Sequence, residues 1–278
     1  MSTAMAFDGE RFTPECVREM WYEHYSRYAF AAQFAHGKRV LDCACGEGYG
    51  SAILASHAAT VQGCDVSEAA VAHARLDYAR SNLVFTQANA LALPFPDASF
   101  DLLVSFETLE HLHEHAALLA EFRRVLAPDG VLMISTPDKL IYSDLSGQQN
   151  PFHVRELYRH QFEQLLAAHF PFQRIYGHKL LFQSVIFDLT QCMRASAHTM
   201  HESELQPGLG YAPTYLIAIA SMREAALRPF VGLMHLFGES AETLYRHYEA
   251  EIRNGIYAAE RIKALENELA QLRQSHAP

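Results

Sequence analysis

The stretch RVLDCACGEGYGSAIL, residues 39–54, constrains the fold of this chain more than any other part of its sequence. An apolar run typical of a β-strand reaches an acid, passes through a turn containing Gly46 and Gly48, and continues into a helix. Glycines let the backbone approach a ligand closely, and the N-terminus of the following helix attracts polar or negative groups. The pattern predicts a strand, turn and helix that bind a nucleotide-like ligand.

A second acid supports this interpretation. Asp65 closes the next apolar run, TVQGCD, where an acid can accept hydrogen bonds from both hydroxyls of a ribose. A dinucleotide-binding turn needs G-x-G-x-x-G, with a third glycine for close helix packing. The turn here lacks that third glycine and instead has the order Asp42, Cys43, Ala44, Cys45, Gly46, Glu47, Gly48.

This order resembles the first motif of class I S-adenosylmethionine-dependent methyltransferases, usually D-x-G-x-G-x-G, with Ala44 replacing the first glycine. Alanine permits close approach but disfavours a positive φ, so we expect a slightly less open turn. FTQANALALPF, LPFPDASFDLLVSFE and RRVLAPDGVLMISTP then resemble the family's third, fourth and fifth strand motifs, in that order. The resemblance covers about residues 24–177 and implies S-adenosylmethionine as the cofactor.

The resemblance also implies which residues contact the cofactor. Asn89 and Ala90 stand where the family usually has an acid and a small residue beside the adenine, and the Asn89 carbonyl oxygen can still accept a hydrogen bond. In EHYSRYAFA, Arg27 and Tyr28 resemble an aromatic lid over the cofactor, although core packing explains them equally well. The implied cofactor-binding residues are Tyr28, Asp42, Ala44, Gly46, Gly48, Asp65, Val66, Asn89, Ala90, Ser105 and Phe106.

A possible metal site follows the fourth predicted strand. In FETLEHL, Glu107, Glu110 and His111 are spaced so that they share one face of a helix. His153, in NPFHVRE, is expected to fold back over the same sheet edge as a fourth ligand. Such nitrogen and oxygen ligands fit Mg²⁺, Mn²⁺, Fe²⁺ or Zn²⁺ without choosing among them. The alternative is an ordinary solvated helix start.

E-x-x-E-H with a later histidine resembles metal-dependent O-methyltransferases, including small-RNA 2′-O-methyltransferases and ubiquinone-pathway catechol methyltransferases. The resemblance implies that a metal chelates two neighbouring oxygens, lowers the pKa of one, and presents it to the sulfonium methyl. Alternatively, His111 or His153 acts as the general base. The sequence does not separate these roles.

The acceptor is suggested by a weaker resemblance. NPFHVRELYRHQFEQLL with HFPFQRIYGHKLLFQS is similar to methyltransferases of bacterial surface-polysaccharide biosynthesis, which implies a sugar hydroxyl. The chain has 32 acids, 22 bases and a net charge of −10, which argues against long nucleic acids or anionic membranes as partners. A small phenolic or natural-product acceptor stays open, as does a non-catalytic S-adenosylmethionine-binding scaffold.

The alternation of apolar runs and helical segments predicts an α/β fold with a doubly wound, seven-stranded, mostly parallel sheet. We expect helix 67–80 to be capped by Ser67, and Thr13 to begin the first helix. The predicted strands are 38–42, 60–64, 83–87, 100–106, 130–135, 172–176 and 214–221. The predicted helices are 13–35, 49–58, 67–80, 114–126 and 154–168.

The predicted domain organisation has three parts. They are an N-terminal helical lid (1–36), a methyltransferase domain (37–221) and a helical extension (222–278). Residues 178–212 exceed a usual loop and are expected to form a substrate cap or an oligomer contact. Within them, His198, His201, Glu202 and Glu204 are more typical of a polar loop than of a metal site.

Beyond residue 239 the sequence predicts one long helix with a short coiled-coil pattern. The seam slips once, and Gly255 weakens the helix. We expect a homo-oligomer formed through this tail; the alternative is a helix packed on its own domain. The apolar positions are Ile252, Ile256, Ala259, Ile262, Leu265, Leu269 and Leu272.

The cysteines and the hydropathy pattern indicate a compartment. The five cysteines are odd in number and are expected to be reduced, and Cys43 and Cys45 are expected to be small buried side chains beside the turn. There is neither a signal peptide pattern nor an apolar run of about 20 residues. We therefore expect a cytoplasmic protein without an integral membrane segment.

Overall fold

A computed structural model describes residues 19–147, 149–181, 197–201 and 204–275. Strands and helices alternate along the chain, as predicted. The strands are β1 (Arg39–Cys43), β2 (Thr60–Asp65), β3 (Leu83–Gln87), β4 (Phe100–Phe106), β5 (Leu126–Pro137), β6 (Phe172–His178), β7 (His198–His201), β8 (Glu204–Pro207) and β9 (Tyr215–Ser221). The α-helices are α1 (Glu19–Ala32), α2 (Tyr49–Ala55), α3 (Glu68–Asp77), α4 (His115–Val125), α5 (Arg159–Ala167) and α6 (Thr243–Ser275).

Seven strands form one sheet in the order β3-β2-β1-β4-β5-β9-β6. The first five strands of the chain pair in parallel, and β9 is antiparallel to both of its neighbours. The chain runs outward from β1 to β3 and then returns to the other side of β1 with β4, which makes this a topological switch point. The predicted doubly wound, mostly parallel sheet is confirmed, and the carboxyl ends of β1, β2 and β4 share one edge.

Both faces of the sheet are buried, which explains the nearly continuous apolar runs of its strands. In β1, Val40 packs in the core cluster that includes α1 and α2, whereas Leu41 packs in the cluster on the opposite face with α4 and α5. The predicted cap of α3 is also present: the Ser67 hydroxyl accepts a hydrogen bond from Ala70 N at 3.3 Å. Burial and capping therefore follow directly from local sequence.

The helix predicted over 154–168 begins later, at Arg159. The reason is that the preceding residues make other contacts. Val154 N and Arg155 N both donate to the Glu110 carbonyl, at 2.9 and 3.0 Å, and Leu157 forms an isolated bridge with Asp138. These bonds hold the segment extended, across the sheet edge at which β4 ends.

The C-terminal part of the chain contains α6, which confirms a long helix beyond residue 239. The segment predicted as a cap contains a two-stranded hairpin of β7 and β8, while residues 182–196 and 202–203 lie outside the described ranges. Cys43, Cys45 and Cys64 are free and buried, as expected; Cys16 and Cys192 are not among the described residues. Among the described residues, none of the helices combines the length and hydrophobicity that crossing a membrane requires.

Candidate active site

The Gly-rich turn joins β1 to α2, and every second residue from Ala44 to Gly48 has a left-handed backbone conformation. Ala44, Gly46 and Gly48 have φ values of 62°, 54° and 100°. We expected Ala44 to disfavour a positive φ and so to make the turn less open. That expectation was wrong, because this alanine adopts the positive φ despite a cost of roughly 1–2 kcal/mol. Hydrogen bonds from Cys45 N to Cys64 O (2.9 Å) and from Gly48 N to Cys45 O (3.1 Å) hold the turn in place.

Asp42 lies at the base of this turn and is completely buried. Its Oδ1 accepts a hydrogen bond from the Tyr28 hydroxyl at 3.1 Å, and its Oδ2 accepts one from Ser51 Oγ at 2.6 Å. Burial raises the pKa of Asp42 to about 7, even though these two hydrogen bonds favour its ionised form. Tyr28 therefore reaches the turn from α1, with its ring in the core.

Gly50 makes this position of Tyr28 possible, and sequence reasoning missed it. A Cβ at residue 50 would lie 2.1 Å from Cζ of Tyr28, so any larger residue would displace the ring. The available signal was the spacing in GEGYG, in which Gly50 follows Gly48 by two residues. Helix α1 and the turn are thus packed directly on each other.

The raised pKa of Asp42 predicts a pH-dependent stability. Between its usual value of 3.8 and about 7, the carboxyl ionises in the unfolded chain but stays protonated in the fold, so stability falls as pH rises. From pH 5 to pH 8 the wild type should lose about 2–3 kcal/mol of unfolding free energy relative to Asp42→Asn. Urea unfolding of both proteins at the two pH values measures this, and parallel losses would contradict the assignment.

Asp65 ends β2 beside the same turn. Its Oδ2 accepts a hydrogen bond from Gly46 N at 2.9 Å and its Oδ1 accepts one from Ser67 N at 2.9 Å. The adjacent Val66 side chain is 67% exposed, so it presents an apolar surface next to the carboxylate. The fold therefore places the Gly-rich turn and Asp65 in direct contact.

The other residues predicted to contact the cofactor line the ends of β3 and β4. Asn89 is exposed, and its Oδ1 already accepts a hydrogen bond from Leu91 N at 2.9 Å, which leaves one lone pair for a ligand. Ala90 beside it is half-buried. Ser105 is buried with no hydrogen-bond partner for its hydroxyl among the described residues, and the Phe106 ring lies edge-on to Tyr28 at 5.2 Å.

The acidic residues after β4 are not on an α-helix, which corrects the predicted helix face. Glu107 has a left-handed φ of 52°, and Leu109–His111 form a single 3₁₀ turn before α4 begins at His115. The Glu107 carboxylate accepts a hydrogen bond from Ser135 Oγ at 2.5 Å and lies 3.9 Å from Arg27 Nη1. It is held toward β5 and α1 by these contacts.

Three of the four predicted metal ligands come together. One side-chain ligand atom from each of Glu110, His111 and His153 lies within 4.8 Å of the other two, and Glu107 is not part of this group. Glu110 is buried; its Oε2 accepts a hydrogen bond from Thr136 Oγ1 at 3.1 Å, and its Oε1 has no partner among the described residues. Burial, together with the nearby Glu107, raises the pKa of Glu110 well above its usual range.

Hydrogen bonds orient both imidazoles. The Phe152 carbonyl lies 3.0 Å from His111 Nδ1, and the two imidazole rings are nearly perpendicular with centroids 5.1 Å apart. His153 Nδ1 lies 2.6 Å from Glu156 Oε1, while its Nε2 lies 2.9 Å from Asn150 Nδ2. A carboxylate that accepts from Nδ1–H selects the tautomer with a lone pair on Nε2.

A second buried cluster adjoins Glu107, and the sequence had indicated only Arg27 in it. Arg27 is 1% exposed, and its guanidinium lies 5.0 Å from the centroid of the Tyr215 ring. The Tyr215 hydroxyl donates to Glu23 Oε2 at 3.0 Å. Burial and the adjacent Arg27 lower the pKa of His178 to about 3, so this imidazole is neutral near pH 7.

The other histidine pattern noted in the sequence, that of His198 and His201, lies in the hairpin of β7 and β8. His198 and His201 begin and end β7, and Glu204 begins β8, whereas Glu202 lies outside the described residues. The segment predicted as a polar loop therefore contains a short β-hairpin.

Comparison with known proteins extends this description. Residues 41–134 match the sequence family described as Methyltransferase domain. A protein of Mycolicibacterium smegmatis named probable S-adenosylmethionine-dependent methyltransferase is 39% identical over 171 residues, or 60% of this chain and 66% of that protein. A ubiquinone biosynthesis O-methyltransferase of Pseudomonas fluorescens is 38% identical over 104 residues, or 36% of this chain and 44% of that protein.

The chain thus spans just under two thirds of the first relative and less than half of the second. Among solved structures, a Pyrococcus horikoshii protein aligns with a TM-score of 0.52 at 20% identity, covering 75% of this chain and 93% of the other, which shows a shared fold. Residues 41–134 thus match a methyltransferase domain in sequence, and they lie within a seven-stranded sheet that carries the Gly-rich turn.

Proposed function

We propose that this protein transfers the methyl group of S-adenosylmethionine to a hydroxyl of a sugar or glycan, assisted by a divalent cation at Glu110, His111 and His153. The observation that carries the proposal is the convergence of these three side chains just beyond β4. The Gly-rich turn and Asp65 lie at the carboxyl ends of neighbouring strands. Ligands of open α/β sheets bind outside the carboxyl ends of the strands at the topological switch point, so a methyl donor and an acceptor hydroxyl can meet there.

In this proposal Asp65 accepts hydrogen bonds from the ribose hydroxyls, and Val66 packs against the adenine. Asp65 suits this role because its carboxylate is anchored to backbone N–H groups of the turn and of the residue before α3. Asn89 and Ala90 border the adenine, and Ser105 and Phe106 border the methyl group. Tyr28 fixes the turn through Asp42.

The residues present fit a divalent cation. A carboxylate oxygen buried without any hydrogen-bond donor is costly, and a cation would satisfy Oε1 of Glu110. Glu156 orients His153 in the way that carboxylates orient metal-binding histidines, and Phe152 orients His111. A bound divalent ion supplies a Lewis acid that lowers the pKa of a coordinated hydroxyl.

The other polar groups of the site would orient and deprotonate the acceptor. In the alternative in which His111 or His153 is not a ligand, that imidazole takes the proton of the attacking hydroxyl as general base. Glu107 adds negative charge beside the three ligands, and Arg27 and Ser135 fix its position. Its left-handed backbone is the kind of strain that folds retain at functional sites.

The proposed acceptor is a neutral sugar with vicinal hydroxyls, since two neighbouring oxygens can share one cation. Tyr142 lies between His153 and Tyr215, with ring centroid distances of 5.3 and 5.8 Å, so the site also offers aromatic faces. These rings equally favour a second candidate, a small phenolic acceptor; the Pseudomonas relative is named an O-methyltransferase of ubiquinone biosynthesis.

An acceptor screen with methyl-labelled S-adenosylmethionine tests the proposal. We expect label transfer to free sugars or nucleotide-sugars with adjacent hydroxyls, and little to deoxy analogues that lack one of the two. Transfer to catechols alone would favour the phenolic acceptor. Tight cofactor binding with no transfer to any hydroxyl would favour the non-catalytic scaffold.

We also propose that the protein self-associates through α6, within the helical extension 222–278. The supporting observation is that this helix leaves its apolar side chains exposed along most of its length. A cytoplasmic location is proposed because Cys43, Cys45 and Cys64 are free thiols.

A further inference from the structure

The C-terminal half of α6 presents an apolar stripe that the rest of the described chain does not cover. Ile262, Leu265, Leu269 and Leu272 remain between 46% and 57% exposed. Their spacing alternates between three and four residues, which places them along one side of a helix that supercoils with a partner. Four large apolar side chains in a continuous line are more than scattered surface exposure.

We infer that this stripe is the seam of a parallel, two-stranded coiled coil formed with a second copy of this chain. The inference rests on the proposed self-association and specifies its partner, orientation and register. Ile262 and Leu269 occupy the a positions, and Leu265 and Leu272 occupy the d positions. Ile262 is the β-branched one of the two a residues, and a β-branched residue at a with leucine at d favours two strands over three or four.

Charges beside the seam set the orientation. In a parallel pair, each g residue faces the e residue five positions later on the partner helix. Arg261 at g then faces Glu266 at e, and the sequence places Glu268 and Arg273 in the same relation one heptad later. Each of these pairs joins opposite charges, and the two-fold symmetry of the dimer would form each pair twice.

The antiparallel arrangement lacks this complementarity. If Ile262 packs against Leu272 of the other copy, and Leu265 against Leu269, Glu266 lies next to its own counterpart. Glu268 does so as well, so like charges meet at the centre of the coil. Within one helix Arg261 lies 3.9 Å from Glu268, an exposed contact that can exchange for the one across the interface.

The base of α6 is fixed to the domain, so the coil extends outward from a defined point. Leu244 is buried, Tyr248 donates a hydrogen bond to Glu19 of α1, and the ring of Phe237 lies 5.7 Å from Trp21. The upstream apolar positions Ile252 and Ile256 follow a different line along the helix, so the shared seam begins near Ala258. The shared seam therefore begins about 15 Å along the helix from the contact of Tyr248 with α1.

Charge reversal in the full-length protein tests the orientation. Arg261→Glu and Glu266→Arg should each raise the dimer dissociation constant about tenfold, since each turns two attractive pairs into repulsive ones. An equimolar mixture of the two variants should restore wild-type affinity, because every facing pair is again opposite in charge. Lys263→Glu and Glu260→Arg make the same charge changes on the outer face and should leave affinity unchanged.

Analytical ultracentrifugation over a range of protein concentrations provides the readout, with circular dichroism to verify folding. A wild type that stays monomeric throughout would overturn the inference together with the proposed self-association. A dimer unaffected by Arg261→Glu would overturn the parallel register while leaving self-association intact. Neither outcome depends on methyl transfer, so both are separate from a failure of the proposed reaction.

Discussion

Replacement of Asp65 by alanine should weaken S-adenosylmethionine binding by about 100-fold or more. A carboxylate that accepts hydrogen bonds from two ribose hydroxyls contributes about 1.5–3 kcal/mol for each bond. The carboxylate also accepts hydrogen bonds from Gly46 N and Ser67 N, so its loss should loosen the turn as well as remove the proposed ribose contact. Isothermal titration calorimetry with the purified protein measures the affinity directly.

Two companion variants separate contact from folding. Asp65→Asn keeps the size of the side chain but removes its charge, and should give an intermediate loss of affinity. Asp129→Ala changes an exposed aspartate that pairs with Arg223 at the far end of β5, and should bind the cofactor like the wild type. An Asp65→Ala protein that is folded and binds with unchanged affinity would remove Asp65 from the cofactor site.

Replacement of Glu110 by glutamine should abolish cation binding and lower methyl transfer by about 100-fold. The amide preserves the volume of the side chain in its buried position, but it removes the only anionic ligand from the group with His111 and His153. Without that charge the two imidazoles alone hold a divalent ion weakly. Titration with Mn²⁺, followed by electron paramagnetic resonance, measures binding without requiring an acceptor.

Glu114→Gln is the matched control, because Glu114 is exposed just before α4 and lies outside the ligand group. It should bind Mn²⁺ and transfer methyl groups like the wild type. If Glu110→Gln and the wild type bind Mn²⁺ equally, the cation site is assigned to the wrong residues. If neither protein binds Mn²⁺, Zn²⁺ or Fe²⁺, the cation-assisted reaction is rejected.

Most of the fold could be predicted because its determinants are local. The apolar run before Asp42, the cap at Ser67 and the acid at Asp65 each lie within a few residues of the element they define. The start of α5 could not be predicted, because long-range bonds from Val154 and Arg155 to the Glu110 carbonyl compete with the helix. Secondary structure is least predictable where distant segments supply the hydrogen bonds.

The candidate site was predictable to the same extent. The turn and Asp65 are close in sequence, and Glu110 and His111 are adjacent, so their proximity follows from the chain itself. The expected helix face failed because Glu107 has a left-handed backbone and its carboxylate is held by Ser135 and Arg27. The contacts of Arg27 with His178 and Tyr215 join residues far apart in sequence, and only the fold reveals them.

The most direct test of the central claim is methyl transfer from labelled S-adenosylmethionine to a vicinal-diol sugar, before and after removal of divalent ions by a chelator. The proposal predicts a labelled methyl ether in the untreated protein, its loss in the chelator, and its recovery when one divalent ion is added in excess. Full transfer in the chelator would contradict the cation-assisted mechanism. Label found on nitrogen or carbon in place of oxygen would contradict the assignment of a hydroxyl acceptor.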